Sequence, residues 1–218
     1  MSDPDTLRAQ MSRRLSEIGA WDHAVARALD EVGPPLVKRD PPGFRALFHT
    51  VIAQHVSTAS ASAVWGRLDA AGAVDPETLL RLSDDQLGTL GLTRAKMRAA
   101  RAISEAVVSG KLDLVRIADQ SAAQVMTQLT AFPGIGRWTA EIYRMFALAD
   151  DDVFPSGDVA IREAIRMLDG LPDRPAPKAC DARAERWSPH RTAVTLLLWR
   201  LYCVRTGRRV MGVTDDIV

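Results

Sequence analysis

Residues 133–136 read Pro-Gly-Ile-Gly and lie between two stretches of helical periodicity, so the chain must contain two helices joined by a very tight turn. Leu129 and Phe132 before the turn, and Trp138, Ala140 and Ile142 after it, give both helices an apolar inner face. Small residues in such a turn let backbone amides approach an anion that bulkier side chains would block. The turn also opens the N-terminus of the second helix, where first-turn amides and the helix dipole favour negative charge. Thr139 adds a hydroxyl in that first turn. Downstream, the run Val153-Phe154-Pro155-Ser156-Gly157 leads to Asp158, an acid at the start of another helix. Taken alone, the turn is equally what any tight helix–helix connection looks like, and Asp158 is equally a plain N-cap.

The rest of the chain is helical in pattern. Apolar residues recur at i, i+3 and i+4, period-two alternation is scarce, and β-branched residues do not cluster. This predicts helices over about 5–18, 20–32, 43–54, 58–71, 76–82, 84–90, 94–109, 122–130, 137–148, 158–168 and 190–205. Asp75-Pro76 reads as a cap followed by a first-turn proline, and Ser83 to Gln86 and Ser121 to Gln124 as capping boxes. Gly110 and Gly170 stand where helices should stop, and the proline-rich stretch 169–180 should be a loop. No repeat and no linker is visible. The expectation is one all-α unit over 1–218, a helical bundle of two lobes with an active-site cleft between them. Its wedge-bearing lobe would cover about 40–115. The lobe over about 116–218 would hold the turn and Asp158, joined by the N-terminal helices.

At 218 residues, 47% apolar and 25% charged, the chain can bury one large core or two smaller ones. No apolar run approaches the roughly 18–20 residues of a membrane span. The polar opening lacks a signal-peptide apolar region, which implies no membrane and a cytoplasmic protein. Cys180 and Cys203 are the only cysteines, too few for a disulfide framework, a zinc site or an iron–sulfur cluster. A net charge of +1 is weak for a protein living on bulk phosphate attraction. One local run, Arg94, Lys96, Arg98 and Arg101, is either a solvated helix face or a phosphate-facing patch.

LTAFPGIGRWTA over 129–140 resembles the helix–hairpin–helix of DNA base-excision glycosylases, and VFPSGD supplies that superfamily's aspartate. The chain is most similar to the 3-methyladenine DNA glycosylase II family. The blocks that carry the resemblance are FRALFHTVIAQHVS, LGLTRAKMRAARAISEAVVSGKLDL, FPGIGRWTAEIY, DVFPSGDVAI and WSPHRTAVTLLLW, in that order over roughly 40–206. The resemblance implies a monomeric enzyme of base excision repair, with double-stranded DNA containing alkylated bases as its partner and no evident protein partner. It would flip an alkylated base such as 3-methyladenine or 7-methylguanine and hydrolyse its glycosidic bond. Asp158 would be the catalytic carboxylate, rivalled by chemistry but not by setting by Asp150, Asp151 and Asp152, whose clustering suggests a solvated loop. Trp138 and Trp199 would be base-stacking walls, because an indole face attracts the positive charge of an N-alkylated purine. Gly134, Gly136, Arg137 and Thr139 would meet DNA phosphate. Where lyase-type relatives carry a nucleophilic lysine this chain has Trp138, so it should leave the strand intact. Lys96 and Lys111 lie far from the motif in sequence.

Gln54 and His55, in the segment 53–57, match the family's wedge, with an imidazole as the plug for the gap left by a flipped nucleotide. The bare reading of that segment is a polar helix end followed by Ser57 as the next N-cap. No cofactor is required by the resemblance, although main-chain carbonyls matching Thr130, Phe132 and Ile135 would suit a structural Na or K ion at the hairpin. Two departures stand out. Where bacterial relatives carry an N-terminal sheet domain this sequence offers about 40 helix-like residues, so part of the pocket wall would be missing or replaced by the region 20–32, including Trp21. Ile142 replaces an aromatic, which implies a wider pocket and broad lesion tolerance. A glycosylase for oxidised or mismatched bases and a non-enzymatic helix–hairpin–helix DNA-binding module remain as alternatives.

Overall fold

A computed structural model describes residues 4–37 and 39–210, and these form an all-α protein. The helices are α1 (Pro4–Gly19), α2 (His23–Val32), α3 (Phe44–Ala53), α4 (Thr58–Ala70), α5 (Pro76–Arg81), α6 (Asp84–Thr89), α7 (Arg94–Val108), α8 (Ala122–Thr130), α9 (Arg137–Phe146), α10 (Val159–Asp169), α11 (Pro177–Ala184) and α12 (Arg191–Thr206). Local signals set most of their ends. Ser83 and Ser121 each accept from the amide three residues on while Gln86 and Gln124 reach back, closing both expected capping boxes. Asp75 caps α5 ahead of Pro76, and Gly170 ends α10 in the left-handed region at φ 65°. The loop expected over 169–180 is shorter than proposed. Pro177 occupies the first turn of α11, where its missing N–H is no loss, and the helix runs on through Cys180.

The chain divides into two compact units, a central one of Asp40–Leu148 and a discontinuous one of Met1–Arg39 with Ala149–Val218. The boundary expected near 110–120 therefore lies at 148/149 instead, and the hairpin belongs with the wedge segment rather than with Asp158. Side-chain burial explains the shift. Leu129, Ile135, Ala140, Tyr143 and Ala147 share one core with Phe44, Phe48, Val51, Met97, Ala100 and Ile103. In that unit α3 packs against α4, α7 and α9, while α8 packs against α9. The Tyr143 hydroxyl accepts from the Gly43 amide at 3.0 Å, pinning α9 to the start of α3. Burial of the ring pushes its phenol up to about 12, although the Gly43 amide acts the other way.

The discontinuous unit is built around α12, whose residues from Thr192 to Trp199 are all buried. A helix buried on every side needs neighbours all round, and α1, α2 and α10 supply them. The N-terminal helices do return to the later part of the chain, as expected. Among the contacts that fasten them is one buried carboxylate, beside the ion pairs Arg14–Asp151 and Arg205–Glu31. Asp22 caps α2 and takes hydrogen bonds from Arg183 Nη1 at 2.7 Å, Arg183 Nη2 at 3.1 Å and Trp187 Nε1 at 2.9 Å. Arg183 also holds Asp169 at 2.9 Å and lies over the Trp187 ring.

Burial alone would raise the Asp22 carboxyl, but the bonds from Arg183 and Trp187, the guanidinium charge and the Val25 amide outweigh it and hold the group at about 2, against 3.8 ordinarily. A depressed folded-state value means the stabilisation is present above the unfolded value and is lost as pH falls through the folded one. The Asp22 contribution, about 2 kcal/mol from the size of the shift, should accordingly be full above pH 4 and vanish toward about pH 2. Asp22→Asn should be strongly destabilised at pH 7, because it leaves Arg183 half-paired in a buried setting. Urea midpoints for wild type and Asp22→Asn, measured from pH 7 downwards, should converge across that acidic window.

Candidate functional site

The central unit carries the hairpin and the segment 53–57 expected as the wedge. Helices α8 and α9 are joined by a turn in which Phe132 N–H donates to Leu129 O and Ile135 N–H to Phe132 O. Gly134 has φ +80°, and a Cβ there would lie 2.7 Å from the Ala99 Cβ on α7. Two constraints thus require glycine: left-handed backbone and close approach to a neighbouring helix. Gly136 differs. Its φ of −87° is ordinary, a Cβ would meet nothing within 4 Å, and it starts α9 with no side-chain cap. The fold has no need of a glycine at 136.

The expected phosphate residues are placed unequally. Gly134, Gly136 and Arg137 are exposed. Arg137 Nε holds Glu141 Oε1, one turn on, at 2.7 Å. Thr139 does not present its hydroxyl outward. It is 2% exposed, and its Oγ1 accepts from Gln54 Nε2 at 2.6 Å. The side chain is turned inward because α9 packs that face against the core, which leaves the Thr139 backbone as its only route to an anion. Among the expected cation carbonyls, Phe132 O already accepts the Ile135 amide, and the Thr130 hydroxyl is directed back to Met126 O at 2.7 Å.

Gln54 and His55 part company. Gln54 caps α3, and its Nε2 also donates to Gly134 O at 2.9 Å, so the side chain lies along the hairpin rather than projecting as part of a wedge. His55 does project. It is exposed, with φ +55°, one of two non-glycine residues among those described with positive φ. Holding histidine there costs on the order of 1 kcal/mol or more. Lys96 donates to Ile52 O at 2.6 Å, closing the end of α3 from the α7 side, and burial lowers its pKa. That contact accounts for one member of the basic run. Arg101 is held by Asp84 and Leu82 O, while Arg94 and Arg98 are exposed, as is Lys111. Trp138 is half-buried on α9 and Ile142 is 1% exposed.

The discontinuous unit carries Asp158 and Trp199. Asp158 is half-buried at the start of α10, and its Oδ1 accepts from Ala160 N at 2.7 Å and Ile161 N at 3.1 Å. The capping role weighed for this residue is therefore present. It fixes the carboxylate rotamer. Trp199 is buried at 2% exposure in α12. Trp21, expected in a pocket wall, is 46% exposed with the Arg186 guanidinium 5.3 Å over its ring. The acidic run before Asp158 is not the solvated loop that its composition suggests. Asp151 pairs with Arg14 at 2.6 Å, Asp152 with Arg191 at 2.7 Å, and Asp150 Oδ1 accepts the Asp152 amide. Thr192 and Thr195 then bind carbonyls of the strip leading to Asp158, at Asp150 and Val153. Among the described residues no cluster of His, Cys, Asp and Glu could hold a metal ion, and no helix is long and apolar enough to cross a membrane.

A helix–hairpin–helix turn followed by an acid fixed at a helix start defines a class. Residues 48–190 match the family model described as "HhH-GPD superfamily base excision DNA repair protein", and the chain belongs to that superfamily. It is 29% identical over 168 residues to DNA-3-methyladenine glycosylase 1 of Schizosaccharomyces pombe, covering 75% of this chain and 73% of that one. It is 33% identical over 209 residues to a Mycobacterium tuberculosis protein named as a probable bifunctional transcriptional activator/DNA repair enzyme; that match takes in 86% of this chain but spans only 41% of its relative. The solved structure of the Schizosaccharomyces pombe 3-methyladenine DNA glycosylase, in complex with abasic DNA, superposes with a TM-score of 0.81 at 25% identity. That match covers 93% of this chain and 100% of the other.

The contrast between the two hairpin glycines is testable. Gly134→Ala should lower stability by roughly 2–3 kcal/mol, combining backbone strain with the Ala99 clash. Gly136→Ala should change it by no more than about 1 kcal/mol. If the turn takes phosphate, Gly136→Ala should nevertheless weaken duplex binding. Denaturant melts and fluorescence anisotropy on the same preparations separate the two effects.

Proposed function

We propose that this chain is a monofunctional DNA glycosylase that excises alkylated bases, 3-methyladenine and 7-methylguanine among them, from duplex DNA in base excision repair. The observation that carries the reading is the Asp158 carboxylate, fixed by two backbone amides at the start of α10 in a chain of this superfamily. As the bond between C1′ and the base nitrogen breaks, the sugar gains oxocarbenium character, and a carboxylate whose rotamer is already set stabilises that charge without reorganisation. Water then forms the new bond to C1′ and gives up a proton, leaving an abasic site. N-alkylation makes the base a better leaving group, so little protonation is needed. Tryptophan at 138 offers no amine to attack C1′, and Lys96 is engaged with the Ile52 carbonyl; both favour water as the nucleophile. Half-buried Trp138 is the indole face proposed for an electron-poor base, whereas Trp199, 2% exposed, offers no open face in this structure and would back the pocket from within α12.

Grip on DNA is assigned to the backbone of the turn at Gly134 and Gly136, with Arg137 beside it, and the plug to His55. A glycine at 136 that the fold does not demand supports this, since a side chain there would obstruct a phosphate. The carbonyls of Thr130, Phe132 and Ile135 are neutral donors and would suit a Na or K ion, which would stiffen the turn; no step depends on it.

Asp158→Asn tests the proposal cleanly, because asparagine is as good an N-cap as aspartate and should leave α10 intact. Base release from methylated duplex should fall about 10²- to 10³-fold, while affinity for a duplex bearing an abasic site is retained. Wild type should yield intact strands until alkali is added and no borohydride-trapped adduct. Release by neither protein, with binding retained, would favour a DNA-binding module; a trapped adduct would overturn the assignment of water as nucleophile.

A further inference from the structure

Gln54 connects two parts of the central unit that sequence separates widely. Its single amide nitrogen donates to Gly134 O at 2.9 Å inside the hairpin turn and to Thr139 Oγ1 at 2.6 Å in the first turn of α9. Both acceptors flank the stretch 134–139 to which phosphate binding is assigned. Gln54 also immediately precedes His55, and its own amide caps α3 through the Val51 carbonyl. Two residues earlier, Lys96 of α7 holds Ile52 O at 2.6 Å. The chain leading into His55 is thus tied twice, at Ile52 to α7 and at Gln54 to the hairpin, while residues 55–57 stay exposed. Neither acceptor is dispensable to the geometry. The Thr139 hydroxyl is 2% exposed with Gln54 as its donor, and Gly134 cannot move without leaving Ala99.

We infer that Gln54 is a positioning residue, which sets the plug His55 relative to the DNA backbone gripped by the hairpin, and that it does not itself enter the duplex. This rests on the assignment of hairpin and plug made above. The physical logic is one of reach. A plug must meet the gap left by an extruded nucleotide to within a fraction of an ångström, and a loop of exposed residues in strained backbone does not hold such a position unaided. Two hydrogen bonds from a planar amide to the hairpin convert the phosphate grip into a fixed origin for the imidazole. A residue that inserted into DNA would have to give up both bonds, leaving the buried Thr139 oxygen and the Gly134 carbonyl to find other donors.

A double-mutant cycle decides the matter. Gln54→Ala, His55→Ala and the double variant are compared for affinity to a duplex carrying an abasic-site analogue and for fluorescence of a 2-aminopurine placed beside it, with thermal melts confirming the fold. Gln54→Ala should weaken lesion affinity about tenfold in the wild-type background but less than about twofold once His55 is already alanine. Affinity for undamaged duplex should change little in every variant. Thr139→Val, which removes one acceptor while keeping shape, should show a smaller loss with the same dependence on His55. Additive losses from Gln54→Ala and His55→Ala would overturn the inference and return Gln54 to the wedge. Equal losses on damaged and undamaged duplex would overturn it too, by making Gln54 a general support of the hairpin. The readout needs no base release, so failure of the glycosylase reading would show in the wild-type release assay and not in this cycle.

Discussion

Where Gly134 meets Ala99, the backbone of the hairpin comes so close to α7 that no side chain fits between them. Much of the central unit depends on that approach. It seats the turn on the helix whose Lys96 also closes α3, so one helix positions both the hairpin and the segment bearing His55. It also brings the Gly134 carbonyl within reach of Gln54, and with it the first turn of α9. The two glycines of Pro-Gly-Ile-Gly therefore serve different masters. The first answers to packing and backbone conformation; the second answers to neither, which is why the proposed function gives it the phosphate.

In the discontinuous unit the comparable constraint is electrostatic. Asp22 gathers Arg183 and Trp187 from the far end of the sequence, and Arg183 brings Asp169. This fastens α2 to the helices that follow Asp158. The acidic strip ahead of that residue is likewise held by Arg14, Arg191 and Thr192. In the role proposed for Asp158, a carboxylate that meets a developing positive charge would gain from such a frame, because its position is settled in advance.

Local signals were legible. The capping boxes at Ser83 and Ser121, the Asp75-Pro76 start and the Gly170 stop depend on residues within one turn of each other, and the sequence pattern carries them directly. The hairpin and the capping geometry of Asp158 belong to the same category. What could not be read required partners far along the chain. Thr139 reads as a hydroxyl at a helix start, and only the packing of α9 shows that it faces inward. Gln54 reads as a polar helix end, and nothing in its neighbourhood announces an acceptor at Gly134. The unit boundary at 148/149 was missed for the same reason: Tyr143 and Ala147 carry no mark of the core they join. Asp150, Asp151 and Asp152 resemble a solvated run until the arginines opposite them are known.

Those arginines also bear on how the molecule would find its target. Arg14, Arg101, Arg183, Arg191 and Arg205 are each engaged with a carboxylate of their own unit, and the formal net charge is only +1. Under the proposed function, with these five guanidiniums already neutralised, the salt dependence of duplex binding would count only the phosphates met by other cations, among them the exposed Arg94, Arg98 and Lys111.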